Sequence, residues 1–318
     1  MSLRPVLTRS STTSAARPRT GGAADVLLAA SLWGTTGTVR TFAPDGATSV
    51  SVAALRMVLG GLMLAGVVLA TARGDLVRLL RAPRALPMLA AGAAAMIVYQ
   101  TAFFIAVGRT GVAVATVVTI GSSPAFTGLI GVLTGRSRPD GRWLLATAGA
   151  VAGCTALVLG GRGSGVEPVG IGLALLSGLG YATYATLSSV LIVRGERDRC
   201  VVAGLFGLSG LASLPVLLLG SPGWLATGTG PVIALWLGPV ATGGAYLLFA
   251  RGLRTTPATT ATTLTLAEPA IAAVLGVAVL GEHLGPVALS GLGFLAASLI
   301  VLVVPSGRSG GGRGRNGR

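Results

Sequence analysis

Apolar residues in this chain come in long unbroken runs rather than in stripes of period 3.6 or 2. Charge is missing for 24 residues between Arg84 and Arg109, for 26 between Arg109 and Arg136, and for 26 between Glu167 and Arg194. Another 51 uncharged residues separate Arg199 from Arg251, with "SPG" at Ser221 to Gly223 marking a break inside them. A helix needs about 20 mostly apolar residues to cross the hydrocarbon core, so each run predicts one span and the longest predicts two. The dyad alternation that a membrane β-barrel requires is absent. The pattern predicts an all-α integral membrane protein with ten transmembrane helices, at 25–43, 49–71, 86–107, 111–133, 143–160, 168–193, 200–219, 231–250, 257–280 and 285–304.

Composition agrees with that solvent. Of the 318 residues, 52% are hydrophobic and only 10% charged, against about a quarter charged in soluble domains. The net charge of +15 is carried entirely by arginine, without a lysine. By itself such a charge points to nucleic acid or an acidic surface, but its distribution follows the loops. With the N-terminus inside, the cytoplasmic segments hold 20 arginines and the external ones three, Arg40, Arg109 and Arg162, while Arg56 lies within the second span. That asymmetry predicts a cell (plasma or inner) membrane protein with both termini cytoplasmic, the bilayer as its surroundings and no nucleic-acid partner. Residues 1–24 read as a cytoplasmic tail and 306–318 as a basic cytoplasmic tail beside anionic headgroups. Cys154 and Cys200 fall in or beside spans and read as small buried residues.

The chain also repeats. "RTGVAVATVVTIGSSPAFTGLIGVLTG", Arg109 to Gly135, lies on "RTTPATTATTLTLAEPAIAAVLGVAVLG", Arg254 to Gly281, with Arg109 on Arg254 and Pro124 on Pro269. "AASLWG" at Ala29 to Gly34 resembles "LLSGLG" at Leu175 to Gly180. These matches predict a first repeat over 25–160, a glycine-rich linker over 161–167 and a second repeat over 168–305. With five helices in each, the second unit enters the membrane from the opposite side. Such inverted repeats place a substrate site near the midplane, where the halves meet.

The same stretches are similar to the drug/metabolite transporter superfamily, in its EamA-type branch with ten spans in two repeats. The resemblance rests on "AASLWGTTGTVR", "VAALRMVLGGLML", "SSPAFTGLIGVLTG" and "LAEPAIAAVLGVAVLGEHL", and covers residues 25–305. It implies a plasma-membrane carrier, commonly an exporter of small metabolites, amino acids or drugs. One departure stands out: the family often carries a glutamate after the glycine in both repeats, whereas here Glu282 follows Gly281 but Arg136 follows Gly135.

Candidate chemistry concentrates at Glu268, the sole charge in the 24 residues from Pro257 to Leu280. Proline at 269 has no N–H, which deprives the Thr265 carbonyl of its usual helical partner, and it disfavours helical geometry at Glu268. A freed carbonyl in hydrocarbon needs protein or cavity water around it. Pro124 does the same on the fourth helix for Ile120, with Ser122 and Ser123 at hand. Pro124 and Pro269 are therefore candidate helix breaks or gates. A charge at mid-membrane costs about 2.5–3.5 kcal/mol, so Glu268 is either a proton or cationic-substrate site coupled to alternating access or a neutral acid locking helices. Arg56, in the second helix, either pairs with a carboxylate, carbonyls or an anion, or snorkels to the outer headgroups. Trp33 with Thr35 and Thr36, Tyr99 with Gln100, Tyr181 with Tyr184, and Tyr246 fall on helices one, three, six and eight. In the resembled family these helices surround a central cavity together with four and nine, which makes their side chains substrate-binding candidates. Interfacial anchoring is the competing reading for each aromatic.

Gly149 and Gly153 form a small-xxx-small pair that predicts close helix packing. Glu282 and His283 read as solvated turn residues, and one histidine makes no metal site. No catalytic motif is present: H-E-x-x-H, G-x-S-x-G and a phosphate-loop lysine are all missing. The expectation is a secondary transporter without cofactor, taking a small-molecule substrate with protons as candidate coupling ion. A facilitative carrier or channel is the alternative, and a membrane scaffold or intramembrane enzyme a remoter one.

Overall fold

The computed structural model describes residues 21–110, 112–136, 139–159, 167–220, 222–281, 283 and 285–304. Most of the two tails, the linker and Glu282 lie outside the described residues. Every regular element among them is helical. The first half contains α1 (Gly21–Arg40), α2 (Ser49–Arg81), α3 (Leu86–Thr110), α4 (Val112–Leu133) and α5 (Gly141–Leu159). The second begins with α6 (Pro168–Val193) and α7 (Asp198–Leu219). Next come the short α8 (Gly230–Leu235), a π-helical stretch over Trp236–Gly244, and α9 (Ala245–Gly252). The chain then forms α10 (Ala258–Leu264), α11 (Ala267–Leu280) and α12 (Pro286–Val303).

Eight helical stretches among the described residues are long and apolar enough to cross a membrane, counting 230–252 and 258–280 as one each. They coincide with eight of the ten predicted spans. The other two, α1 and α5, are helical where expected. Asp25, Arg40 and a run of threonines make α1 the less apolar of the two.

Several helices differ from the sequence pattern in how they end or bend. Helix α2 continues to Arg81, through what loop charge had marked as a turn from residue 72, with only Ala72 leaving helical geometry (φ −153°, ψ 34°). Arginines do not oppose a helix; they only end the hydrophobic part of one. The predicted eighth and ninth spans are the interrupted ones, by π-turns and by the non-continuous α10–α11 junction. Helix α4 runs through Pro124 without a break.

The surface is apolar and the interior carries much of the polarity. Leu133, Leu145, Leu211 and Leu219 stand fully outward, whereas Ser51, Thr119, Ser123, Ser177, Thr262, Thr263 and Thr265 are buried. With lipid as solvent no hydrophobic force drives helices together, so close approach and internal hydrogen bonds must. Gly61 of α2 faces the Phe206 backbone of α7, and Gly210 of α7 faces the Met57 backbone of α2. Gly149 and Gly153 bring α5 onto α12 at Ser298 and at the Gly291–Leu295 backbone, as their spacing predicted. Arg142, at the start of α5, donates from Nε to the Val301 carbonyl at 2.9 Å and from Nη2 to Val301 and Val304, capping the C-terminal carbonyls of α12.

The pairings form a regular scheme. Helix α2 packs on α7 and α5 on α12; α3 and α4 both pack on α6, while α9 and α11 both pack on α1. Ion pairs follow it: Arg109 at the end of α3 holds Glu167 beside α6 at 2.6 Å, and Arg251 at the end of α9 holds Asp25 of α1 at 3.1 Å. Gly135 and Gly281, aligned by sequence, both close a helix with positive φ (63° and 68°), a geometry that favours glycine.

Candidate functional site

The break between α10 and α11 positions the acid. Thr265 and Leu266 keep right-handed dihedrals with ψ near zero, and the hydrogen bonds tighten there. The Leu266 N–H donates to Thr263 O at 3.1 Å and the Glu268 N–H to Thr265 O at 3.0 Å, three residues back instead of four. The Thr265 carbonyl, expected to be orphaned by Pro269, is thus taken by Glu268 itself. Glu268 then sits in the first turn of α11 rather than in mid-helix, where the unpaired N–H groups and dipole of a half-helix favour negative charge. Gly34 of α1 makes room for this turn, since a β-carbon there would meet the Glu268 carbonyl and Ile271.

Glu268 opens onto a cavity of about 250 Å³ between α1, α2, α3, α4, α9 and α11. Of the residues singled out in the sequence, Trp33, Arg56, Tyr99, Gln100, Tyr246, Glu268 and Pro269 all line it. Tyr181 does not; it stands behind the wall, its ring 5.4 Å from Tyr99 and 6.3 Å from Trp33. Pro124 lines the space between α4 and α5 no more than the cavity, and its neighbours behave differently from expectation. The Ser122 and Ser123 hydroxyls donate to the Thr119 carbonyl at 3.2 and 2.7 Å, not to Ile120.

Arg56 does not run out to the headgroups. Its Nε donates to Thr242 Oγ1 at 3.1 Å, and that hydroxyl donates in turn to the Leu237 carbonyl at 2.7 Å, five residues back. The π-turn is what exposes this carbonyl, so the helix irregularity and the buried cation belong together. Arg56 and Glu268 share the cavity wall without forming an ion pair; the pairs among the described residues are all at helix ends. Between them lie hydrogen-bonding groups left open. Trp33 is 5% exposed, and its Nε1 has no partner, nor does Thr36 Oγ1. An unpaired buried N–H costs about 1–3 kcal/mol, which makes these groups candidates for a ligand's acceptors.

An aromatic floor closes the cavity below. Trp33 lies 4.7 Å from Tyr246 and 5.6 Å from Phe249, and Phe206 lies 4.3 Å from Tyr246. Beneath it Ala261, Thr262, Thr263, Leu264, Thr265 and Leu266 are wholly inaccessible.

The structure adds residues that sequence reasoning passed over: Arg40, Phe103, Phe104, Thr116, Ile120 and Ala272 line the cavity too. Helical spacing carried the signal. Trp33, Gly37 and Arg40 follow i, i+4, i+7, while Tyr99 with Phe103 and Gln100 with Phe104 are i, i+4 pairs. By sequence Arg40 counts only among the external charges, near the end of the first span. The described residues hold no cluster of metal-ligating side chains.

Comparison with known proteins accords with this architecture. The EamA-like transporter family matches the chain twice, over residues 21–159 and 168–304. The chain is 37% identical over 279 residues to the uncharacterized transporter YwfM of Bacillus subtilis, covering 87% of this chain and 92% of that one. It is 34% identical over 242 residues to an uncharacterized protein of Pseudomonas aeruginosa, covering 75% and 78%. A solved crystal structure shares the fold at a TM-score of 0.76 with 19% identity, over 89% of this chain and 96% of its own. Because the family match takes in nearly every described helix in two successive passes, the chain belongs to the EamA-like transporter family, within the drug/metabolite transporter superfamily.

Proposed function

We propose that this membrane transporter is a secondary carrier exporting a small metabolite, amino acid or drug across the plasma membrane by alternating access. In this reading ten helices cross the bilayer as two inverted five-helix repeats, with α1 and α5 completing the count and both termini cytoplasmic. The exchange-symmetric pairing of helices supports the repeat, as does the double family match. Charge asymmetry supports the orientation.

The observation that carries the reading is the composition of the cavity wall. An acid at the start of a half-helix and an arginine on a π-turn face one small space, together with a buried indole N–H that has no partner. A passive bundle gains nothing from these groups, each of which is costly to bury. A substrate with an ionic or polar group repays that cost on binding. Glu268 is the proton or cation site, Arg56 and Trp33 meet acceptor groups, and Tyr99, Gln100 and Tyr246 shape the wall. Tyr181 supports the wall from behind. Pro269 marks the gating break.

The test uses liposomes holding only this protein, with counterflow of labelled candidate substrates. Saturable counterflow in the wild type, with pH dependence that disappears in Glu268→Gln at matched protein level, is the expected result. Unsaturable flux would mean a channel. Unchanged transport and pH profile in the variant would remove the acid from the mechanism.

A further inference from the structure

A second cavity, of about 510 Å³, lies at the other end of α10, toward the side that arginine asymmetry marks as cytoplasmic. It is separated from the Glu268 cavity by the inaccessible layer from Ala261 to Leu266. Its polar wall is of one sign. Arg136 after α4, Arg194 after α6 and Arg254 in the α9–α10 turn all contribute, and no carboxylate lines it. Hydroxyls complete the wall, among them Ser189, Thr256 and Thr186. Thr186 is only 8% exposed, and its Oγ1 has no hydrogen-bond partner.

Ordinary structural duties account for these groups only in part. Cations after the last turns of α4 and α6 suit the helix dipoles. Arg194, however, reaches the Met88 thioether at 3.5 Å rather than an acid. Arg254 touches Asp198 only at 3.9 Å, the limit of an ion pair. Arg136 has no carboxylate in ion-pair reach among the described residues. Three guanidiniums converging from both halves of the chain repel one another unless an anion sits among them. Guanidinium groups match tetrahedral oxyanions with paired N–H donors, and a threonine hydroxyl supplies a further donor.

We infer that this cavity is a phosphate-type oxyanion site, distinct from the transport cavity, where a bound anion ties α4, α6 and the α9–α10 turn together. The ligand's phosphoryl group comes either from a free small molecule or from the headgroup of an anionic lipid. The site does not depend on the substrate reading above, because none of its residues faces Glu268.

The full chain is to be reconstituted in phosphatidylcholine nanodiscs and its unfolding temperature followed. One arm titrates inorganic phosphate against sodium chloride of equal ionic strength, and the other replaces part of the lipid by phosphatidylglycerol. A saturable rise with phosphate identifies a free oxyanion, and a rise with phosphatidylglycerol alone identifies a headgroup. Either supports the site, provided that Arg194→Gln and Arg254→Gln weaken the apparent affinity about tenfold or more, as the loss of one charge-assisted contact predicts. Arg81→Gln, an arginine on the same side but outside the cavity, is to leave it unchanged. Absence of a saturable rise in both arms overturns the proposal, as does an equal loss in Arg81→Gln. Thr186→Val removes the hydroxyl with little change of volume and serves if the arginine variants fail to fold; a full response in it likewise overturns the proposal.

Discussion

Glu268 shows how a side chain takes its chemistry from the backbone beneath it. On the first turn of α11 it stands at the positive end of a half-helix and faces a cavity. Arg56 is held in the same manner, through Thr242 and a carbonyl that only a π-turn presents. Trp33 lends itself to a clean test, because its ring and its N–H are separable. Trp33→Phe keeps an aromatic against Tyr246 and removes the unpartnered donor. One hydrogen bond is worth about 1 kcal/mol, so substrate half-saturation in counterflow should rise about fivefold with maximal rate and expression unchanged. A lower protein yield with unchanged half-saturation would instead assign the indole to packing. Most of this chemistry was legible, since an acid, an arginine and tyrosines in apolar runs declare themselves. Arg40 was not, because an arginine near the outer end of a predicted span counts toward the charge asymmetry whether or not it lines a cavity. Tyr181 was placed one layer too far in.

At the scale of elements, glycine contacts take the place of the hydrophobic effect. Gly153 faces the α12 backbone at Leu295 N and Gly291 O, with no flexible side chain able to yield. Gly153→Leu should therefore push α5 from α12 and lower stability by about 1–3 kcal/mol, the usual cost of overpacking. Thermal unfolding in detergent checks this, with Gly172→Leu, where a β-carbon meets nothing, as the neutral comparison. Charge-free runs located the helices well because hydrocarbon excludes charge regardless of fold. They could not see how helices end or bend. Helix α2 outlasts the membrane as far as Arg81, and Pro124 and Pro269 share an aligned position yet only the second accompanies a break. In α4 the Ser122 and Ser123 hydroxyls bond back to Thr119 of their own helix, whereas α10 is gripped from α5 by Trp143 Nε1 on Thr259 O at 3.1 Å and by Thr147 against Thr263 at 3.0 Å.

At the scale of the whole molecule, the Glu268 cavity and the arginine-lined cavity lie on either side of a sealed layer, the arrangement alternating access requires at one stage of its cycle. Single cysteines in a chain lacking Cys154 and Cys200 report on that layer. Positions Phe104 and Ala272, on the Glu268 cavity, should label with a membrane-impermeant thiol reagent from one side, and Ser189 and Thr259, on the arginine cavity, from the other. Thr263 and Leu266 should stay unlabelled until saturating substrate or a pH change cycles the protein; their immediate labelling from either side would contradict the sealed layer. What the sequence determined alone was the solvent, the helical class, the doubling and the handful of costly side chains, for these depend on composition and spacing that lipid reads locally. What only the tertiary structure decided was which of those side chains meet. The cavity forms where α1, α3 and α11, far apart along the chain, line one space. Whether a proline breaks its helix, and whether an arginine turns inward, depends on hydrogen-bond partners that other helices bring.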